Sequence, residues 1–186
     1  MKLGAKELRI TKPTEEQLAA LVKKPIYLIL DNVLDTYNIG SLFRLADAIG
    51  AVELILCGRS ETPPSSRIHK AAVGTETWVK WSYFADAKSA ISELRIKNHE
   101  LWVIAVEQDE RAIKLASLNT SPSSPSPIIG EGRSVAIVVG HETEGVSKEA
   151  LDMADVIVEI PMYGVNKSLN VHVSASIVAY GVLRDT

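Results

Sequence analysis

The chain has 186 residues, 46% of them apolar, and a formal net charge of −3. That length suits one domain with a full hydrophobic core, and that charge argues against a uniformly basic nucleic-acid binder while leaving room for a local basic patch. The single Cys57 excludes an internal disulfide and a multi-cysteine zinc site, the scattered histidines form no metal motif, and no apolar run is long enough to span a bilayer.

Met1 to Thr11 mixes charged and apolar residues without a targeting core, so a soluble cytoplasmic protein is expected. Pro13-Thr14-Glu15-Glu16-Gln17 reads as a helix start, with acids in the first turn. That helix is expected to run through Leu18, Leu21 and Val22 to Lys23-Lys24 and stop at Pro25, so residues 1–25 form an N-terminal helical extension. Residues 26–186 form the main domain. Ile26 to Leu30 is a buried strand, Asn38 to Ile49 a helix closed by Gly50, and Val52 to Cys57 a second strand. Residues 58–76 read as a loop, Trp78 to Trp81 as a short strand, Ala85 to Lys97 as a helix with Ala87, Ile91 and Leu94 inward, and Leu101 to Val106 as a strand. Ser117 to Gly132, rich in Ser and Pro, reads as a mobile surface loop. Ser134 to Val139 is a strand, Ser147 to Met153 a helix, Val156 to Ile160 a strand and Leu169 to Arg184 the last helix.

Strands apolar on both faces that alternate with helices predict an α/β domain with a mainly parallel sheet and helices on both faces. Ligands of such sheets sit beyond the carboxyl ends of the strands. Three polar, glycine-bearing stretches fall there. In the first, Asn38 lies near a helix start, Gly40 lets a neighbour approach the backbone, and Arg44 has the reach to return to the strand-end face and hold a phosphate or ribose oxygen. Asn38 as a simple cap and Arg44 as a surface residue is the plainer alternative. In the second, Gly140-His141-Glu142-Thr143-Glu144-Gly145 joins a strand to a short helix capped by Ser147. Gly140 suits close contact with a cofactor, Glu142 suits orienting a polar loop or accepting a hydrogen bond, and Glu144 fits simple solvation equally well. The stretch is neither a dinucleotide nor a Walker loop. In the third, Pro161 ends a strand, and Ser168-Leu169-Asn170 opens the last helix with free N–H groups and polar side chains. Ser168 as an ordinary N-cap is again the alternative.

Asn38-Ile39-Gly40 with Arg44, Gly140-His141-Glu142 with Gly145, and Ile160-Pro161-Met162 with Ser168-Leu169-Asn170-Val171 resemble, in order, the three motifs of the SpoU branch of the SPOUT methyltransferases. These are the TrmH-like ribose 2′-O-methyltransferases of tRNA and rRNA. The match runs from about Ile26 to Arg184. The resemblance implies an α/β catalytic domain at 26–186 whose C-terminal segment forms a trefoil knot. It implies S-adenosylmethionine as cofactor, RNA as partner, a homodimer with the active site near the subunit boundary, and no metal or membrane. It assigns Asn38, Arg44, Glu142, Ser168 and Asn170 to functional positions. It assigns Gly140, Ile160, Met162 and Leu169, with Ala105 to Glu107 on the adenosine side, to the cofactor. His172 and Gly181 depart from the pattern, where Ser and Glu are more frequent.

The implied reaction is in-line methyl transfer from a sulfonium to a ribose hydroxyl, which must be positioned and deprotonated. Free guanidinium is a poor base, its pKa lying above about 12, so Arg44 is expected to stabilise a developing alkoxide or clamp the adjacent phosphate. Asn38, Ser168 and Asn170 would position the ribose and the loops, and Glu142 would hold the loop architecture. Arg59, Arg67, Lys70 and Lys167 are candidates for phosphate contacts. The last helix is apolar nearly all round, which fits part core and part dimer interface, or burial within one chain. The competing reading is a non-catalytic RNA-binding protein of the same fold.

Overall fold

The computed structural model describes residues 12–118 and 133–183. Seven strands form one sheet: β1 (Lys24–Asp31), β2 (Ala51–Cys57), β3 (Trp81–Phe84), β4 (Leu101–Val106), β5 (Ile113–Lys114), β6 (Ser134–Gly140) and β7 (Val156–Glu159). Their order is β3-β2-β1-β6-β4-β7-β5, and all neighbouring pairs are parallel. Asp31, Cys57 and Gly140 stand side by side in the ladder, so the loops after β1, β2 and β6 leave from one edge.

The helices are α1 (Glu15–Ala19), α2 (Thr36–Ala48), α3 (Ser66–Ala72), α4 (Ala87–Lys97), α5 (Lys148–Leu151) and α6 (Val171–Leu183). They cover both faces. On one, Ile26, Leu28 and Leu30 of β1 pack with Leu42 and Phe43 of α2, Ile68 of α3 and Val178 of α6. On the other, Ile29 of β1 packs with Ile91 and Leu94 of α4 and Ala150 of α5. Alternate residues of one strand feed opposite cores, which is why β1 reads as an unbroken apolar run. Two covered faces need helices on both sides, as the strand–helix alternation predicts. No helix among the described residues is long and apolar enough to cross a membrane.

Several elements differ from expectation. The first helix stops at Ala19, where Thr14 and Gln17 close a capping box at its start, and the chain is already in β1 at Lys24. Pro25 lies inside that strand rather than ending the helix. Proline has no N–H for the ladder, and the pairing with β2 is irregular between Lys24 and Tyr27. The span read as a loop contains α3, capped by Ser65, and a 3-10 turn at Thr75–Thr77. The strand expected at Trp78–Trp81 begins where that ends, at Trp81. Trp78 instead donates its indole N–H to Asp47 at 2.7 Å. The helix expected at Ser147–Met153 is the single turn α5, and the last helix starts at Val171, two residues late. Residues 1–11, 119–132 and 184–186 lie outside the described residues, and with them most of the loop expected at 117–132 and the helix end expected at Arg184.

Candidate active site

The edge after β1 and β6 carries a connected hydrogen-bond network. Asp31, buried at the end of β1, accepts from the Ser147 N–H at 2.8 Å and from Asn32 Nδ2 at 2.8 Å. Ser147 makes no side-chain cap; its N–H is spent on Asp31 instead. The cap of α2 is Asp35, which accepts from the Tyr37 N–H at 2.8 Å. Asn38 sits one turn in, buried, and donates Nδ2 to Glu142 Oε1 at 2.9 Å. Glu142 also accepts from the Asp35 N–H at 3.0 Å and the Leu34 N–H at 3.2 Å. Burial pushes the Glu142 carboxyl up, but the bonds from Asn38, Asp35, its own backbone and Leu34 outweigh that and hold it below the usual carboxylate range. One ionised side chain therefore ties the β6 loop to the β1 loop and to α2.

The β6 loop is itself tight. His141 and Gly145 exchange backbone bonds of 3.0 and 2.9 Å, and His141 Nδ1 accepts from the N–H groups of Thr143 at 3.0 Å and Glu144 at 3.1 Å. A Cβ at Gly140 would meet the Gly145 carbonyl carbon at 2.2 Å and the Val146 nitrogen at 2.2 Å. Gly140 thus lacks a side chain because its own loop folds over it, a packing reason the sequence did not reveal. Gly40 is similar: a Cβ there would lie 2.6 Å from Ala71 Cβ and 2.7 Å from the Ile68 oxygen, so it serves the α2–α3 contact and not a ligand.

Beside this network lies a cavity of about 510 Å³ between the ends of β4, β6 and β7. Val106, Val139, Ile160, Met162, Leu169 and Val171 give it apolar walls, and Glu107, Glu142, Ser168 and Asn170 polar ones. Its far wall is the exposed loop between β7 and α6. There no backbone N–H from Met162 to Lys167 has a partner among the described residues. Gln108 Nε2 donates to the Lys167 carbonyl and pins one point of the loop. Asn170 opens α6: its carbonyl accepts from the Ser174 N–H at 3.0 Å and its Oδ1 from the His172 N–H at 3.0 Å. Asn170, not Ser168, is the cap. At the end of β2, away from the cavity, Cys57 is no nucleophile, since burial and then Asp31 and Asp86 push its thiol up to about 12.

The model of the SpoU rRNA Methylase family matches residues 25–180, from the second residue of β1 through β7 and most of α6. The chain belongs to the SpoU rRNA methylase family. It is 28% identical over 169 residues to the 23S rRNA (guanosine-2′-O-)-methyltransferase RlmB of Haemophilus influenzae, covering 91% of this chain and 63% of that one. It is 32% identical over 157 residues to a TrmH family tRNA/rRNA methyltransferase of Staphylococcus haemolyticus, covering 84% and 57%. The chain therefore spans about three fifths of the length of these relatives. Among solved structures, the A. aeolicus TrmH/SpoU tRNA modifying enzyme matches with a TM-score of 0.71 and 26% identity over 97% of this chain and 81% of that one. The AdoMet-bound rRNA methyltransferase of Sinorhizobium meliloti matches with a TM-score of 0.72 and 25% identity over 95% and 59%.

Against the SpoU motifs, the structure gathers some of the candidate residues and not others. Glu107, Gly140, Glu142, Ile160, Met162, Ser168, Leu169 and Asn170 all line the cavity. Asn38 lies behind Glu142 rather than in the cavity wall. Arg44 is apart. Six residues of helix turn it roughly 120° from Asn38. It shares an exposed stripe of α2 with Tyr37 and bonds to no described residue, so it does not return to the strand ends within one chain. Ala105 points away: it is fully buried in the α4-side core, and Val106 and Glu107 meet the cavity instead. Glu107 is itself engaged, accepting from the N–H groups of Val146 and Gln108, each at 2.8 Å. Arg59 forms an exposed ion pair with Glu144 at 2.7 Å, so Glu144 is not merely solvated. Arg67 and Lys70 are exposed on α3, and Lys167 is exposed on the β7 loop. Sequence reasoning missed the anchoring role of Asp31, whose signal is an acid closing an apolar strand.

Proposed function

We propose that this chain transfers a methyl group from S-adenosylmethionine to a ribose 2′-hydroxyl of tRNA or rRNA, working in the cytoplasm as a homodimer whose C-terminal segment is knotted. The observation that carries the reading is the cavity of about 510 Å³ walled by the second and third motifs. Its size and mixed walls fit a nucleoside with a polar tail. Val106, Ile160 and Leu169 offer apolar surface for a purine, and the N–H groups of 162–167, without partners among the described residues, offer donors for polar edges. The bound cofactor would supply a methyl group on a sulfonium, whose leaving group departs neutral.

The chain's own residues supply position. Glu142 fixes Asn38 and the start of α2 against the cavity. Ser168 and Asn170 face the cavity at the mouth of α6, where they can orient the ribose. Arg44 sits on an outer stripe of α2 with Tyr37. Ile177 and Tyr180 are exposed on α6. These apolar groups on two helices support pairing with a second copy, which would bring Arg44 into a shared site as a clamp on RNA phosphate. Arg67, Lys70 and Lys167 extend that charge, and Arg59 could exchange Glu144 for phosphate. Incubating the protein with labelled S-adenosylmethionine and bulk RNA tests the reading. Label in RNA, mapped as 2′-O-methyl, is expected; cofactor-independent RNA binding with no label would favour the non-catalytic alternative.

A further inference from the structure

The loop between β7 and α6 is a partition. On one side lies the cavity between the ends of β4, β6 and β7. On the other lies a second cavity, also of about 510 Å³, with Lys114, Pro161, Gly164 and Lys167 in its walls. Gln108, Ile160, Met162 and Asn166 line both. The position of this segment therefore sets the shape of the cofactor cavity.

Packing holds the segment weakly, since Tyr163 and Val165 are almost wholly exposed. Hydrogen bonding holds it at one point. Asn166 Oδ1 accepts from the Ser168 N–H at 3.5 Å, but that bond stays inside the loop. Among the described residues, 161–169 make a single hydrogen bond to the rest of the fold, in which Gln108 Nε2 donates to the Lys167 carbonyl. A carbonyl only accepts, so the orientation of the Gln108 amide is fixed by its partner.

The other end of this tether is anchored. Gln108 follows β4, where the Glu107 N–H donates to the Val158 carbonyl at 3.1 Å. The N–H of Gln108 donates to Glu107 Oε1 at 2.8 Å, and Glu107 Oε2 accepts from the Val146 N–H at 2.8 Å. One residue on, Asp109 accepts from the N–H groups of Arg111 and Ala112, each at 2.9 Å, and Arg111 reaches Asp152 behind α5 at 2.9 Å. A short arm on a firm base thus reaches a segment with no other hold.

We propose that Gln108 is a positioning residue for the methyl donor: its carboxamide keeps the β7 loop where the cavity admits S-adenosylmethionine before the cofactor arrives. The inference rests on the methyltransferase reading above. Gln108 acts through Lys167 and not on the reacting atoms. With the tether made, a larger share of the free protein is competent to bind, and the apparent affinity rises by that share.

Calorimetric titration of the whole protein with S-adenosylmethionine tests this. At about pH 8, Gln108→Ala should weaken binding about fivefold, with kcat for RNA methylation at saturating cofactor within about twofold of wild type. Gln108→Glu should bind more weakly still, because a carboxylate only accepts and repels the Lys167 carbonyl. A side chain in direct contact with the cofactor would give the opposite order, since a carboxylate attracts its sulfonium and ammonium charges. As pH falls to about 5, towards the ordinary glutamate value of about 4.3, the introduced carboxyl gains a proton to donate, and the gap between the two variants should close. Comparing the variants at each pH cancels the titration of the charged groups nearby, Glu107, Asp109, Lys114, Glu159 and Lys167, and of the cofactor. A merely structural role would lower the unfolding midpoint of Gln108→Ala and leave its cofactor affinity at the wild-type value, which would overturn the proposal. So would Gln108→Glu binding as tightly as Gln108→Ala at about pH 8, or a gap that pH does not change. If the wild-type protein binds no S-adenosylmethionine, the functional reading has failed and this inference with it; a wild-type protein that binds and methylates beside an unaffected Gln108→Ala overturns the inference alone.

Discussion

The loop after β6 and the loop after β7 wall the same cavity in opposite conditions. The first is closed on itself: Gly140 is roofed by Gly145 and Val146, His141 caps two N–H groups, and Glu142 reaches out to three more. The second is exposed from Tyr163 to Asn170, and its N–H groups from Met162 to Lys167 have no partner among the described residues. Buried polar groups must be paired within the fold, whereas exposed ones can wait for a ligand or a second copy. The contrast leaves one wall set within the fold and the other with donors open to a ligand.

Glycine substitutions break this comparison most sharply. Gly140→Ala forces a Cβ onto backbone atoms and should cost about 3 kcal/mol in denaturant unfolding. Gly164→Ala, in the open loop, meets nothing within 4 Å and should stay within about 0.5 kcal/mol. Equal effects would erase the distinction between the walls. Glu142→Ala comes next. It releases Leu34, Asp35 and Asn38 together, and methyl transfer should fall about 100-fold through misplacement, while a change confined to binding would show that the network does not position the site.

The same carboxylate gives a pH signature. Its folded-state value is lowered, so its contribution is present above the ordinary 4.5 and fades as pH falls through the folded value. The stability gap between wild type and Glu142→Gln should therefore be full at neutral pH and shrink below 4.5. A gap constant to lower pH would mean the bonds to Glu142 are not formed in solution. The smallest effect belongs to Arg59→Ala. Its exposed pair with Glu144 should contribute under about 1 kcal/mol, whereas RNA affinity should drop and lose salt sensitivity if the residue contacts phosphate.

How much of this was readable depended on whether one residue's neighbours lie nearby in sequence. Ile26 to Leu30, Leu101 to Val106 and Ser134 to Val139 announce themselves, because both faces of each strand are buried. Helix α3 was missed because only Ile68 and Ala72 of its seven residues turn inward, too few to show a period. Strand β5 has two residues and no pattern at all. The motif residues were nameable from their order along the chain. Which partner each would find was not: Glu142 meets Asn38 across more than a hundred residues, and only the parallel sheet brings their loops together. Ala105 and Val106 differ by one position, and a strand sends neighbours to opposite faces, so a motif without a register could not choose between them. Gly140 lines the cavity, and its lack of a side chain is set by its own loop.

Hydrogen exchange with and without S-adenosylmethionine tests the central claim most directly. The account predicts that saturating cofactor slows exchange of the Met162–Lys167 amides and leaves the Leu34 and Asp35 amides, already held by Glu142, as they were. Unchanged exchange across Met162–Lys167 at saturation would contradict it.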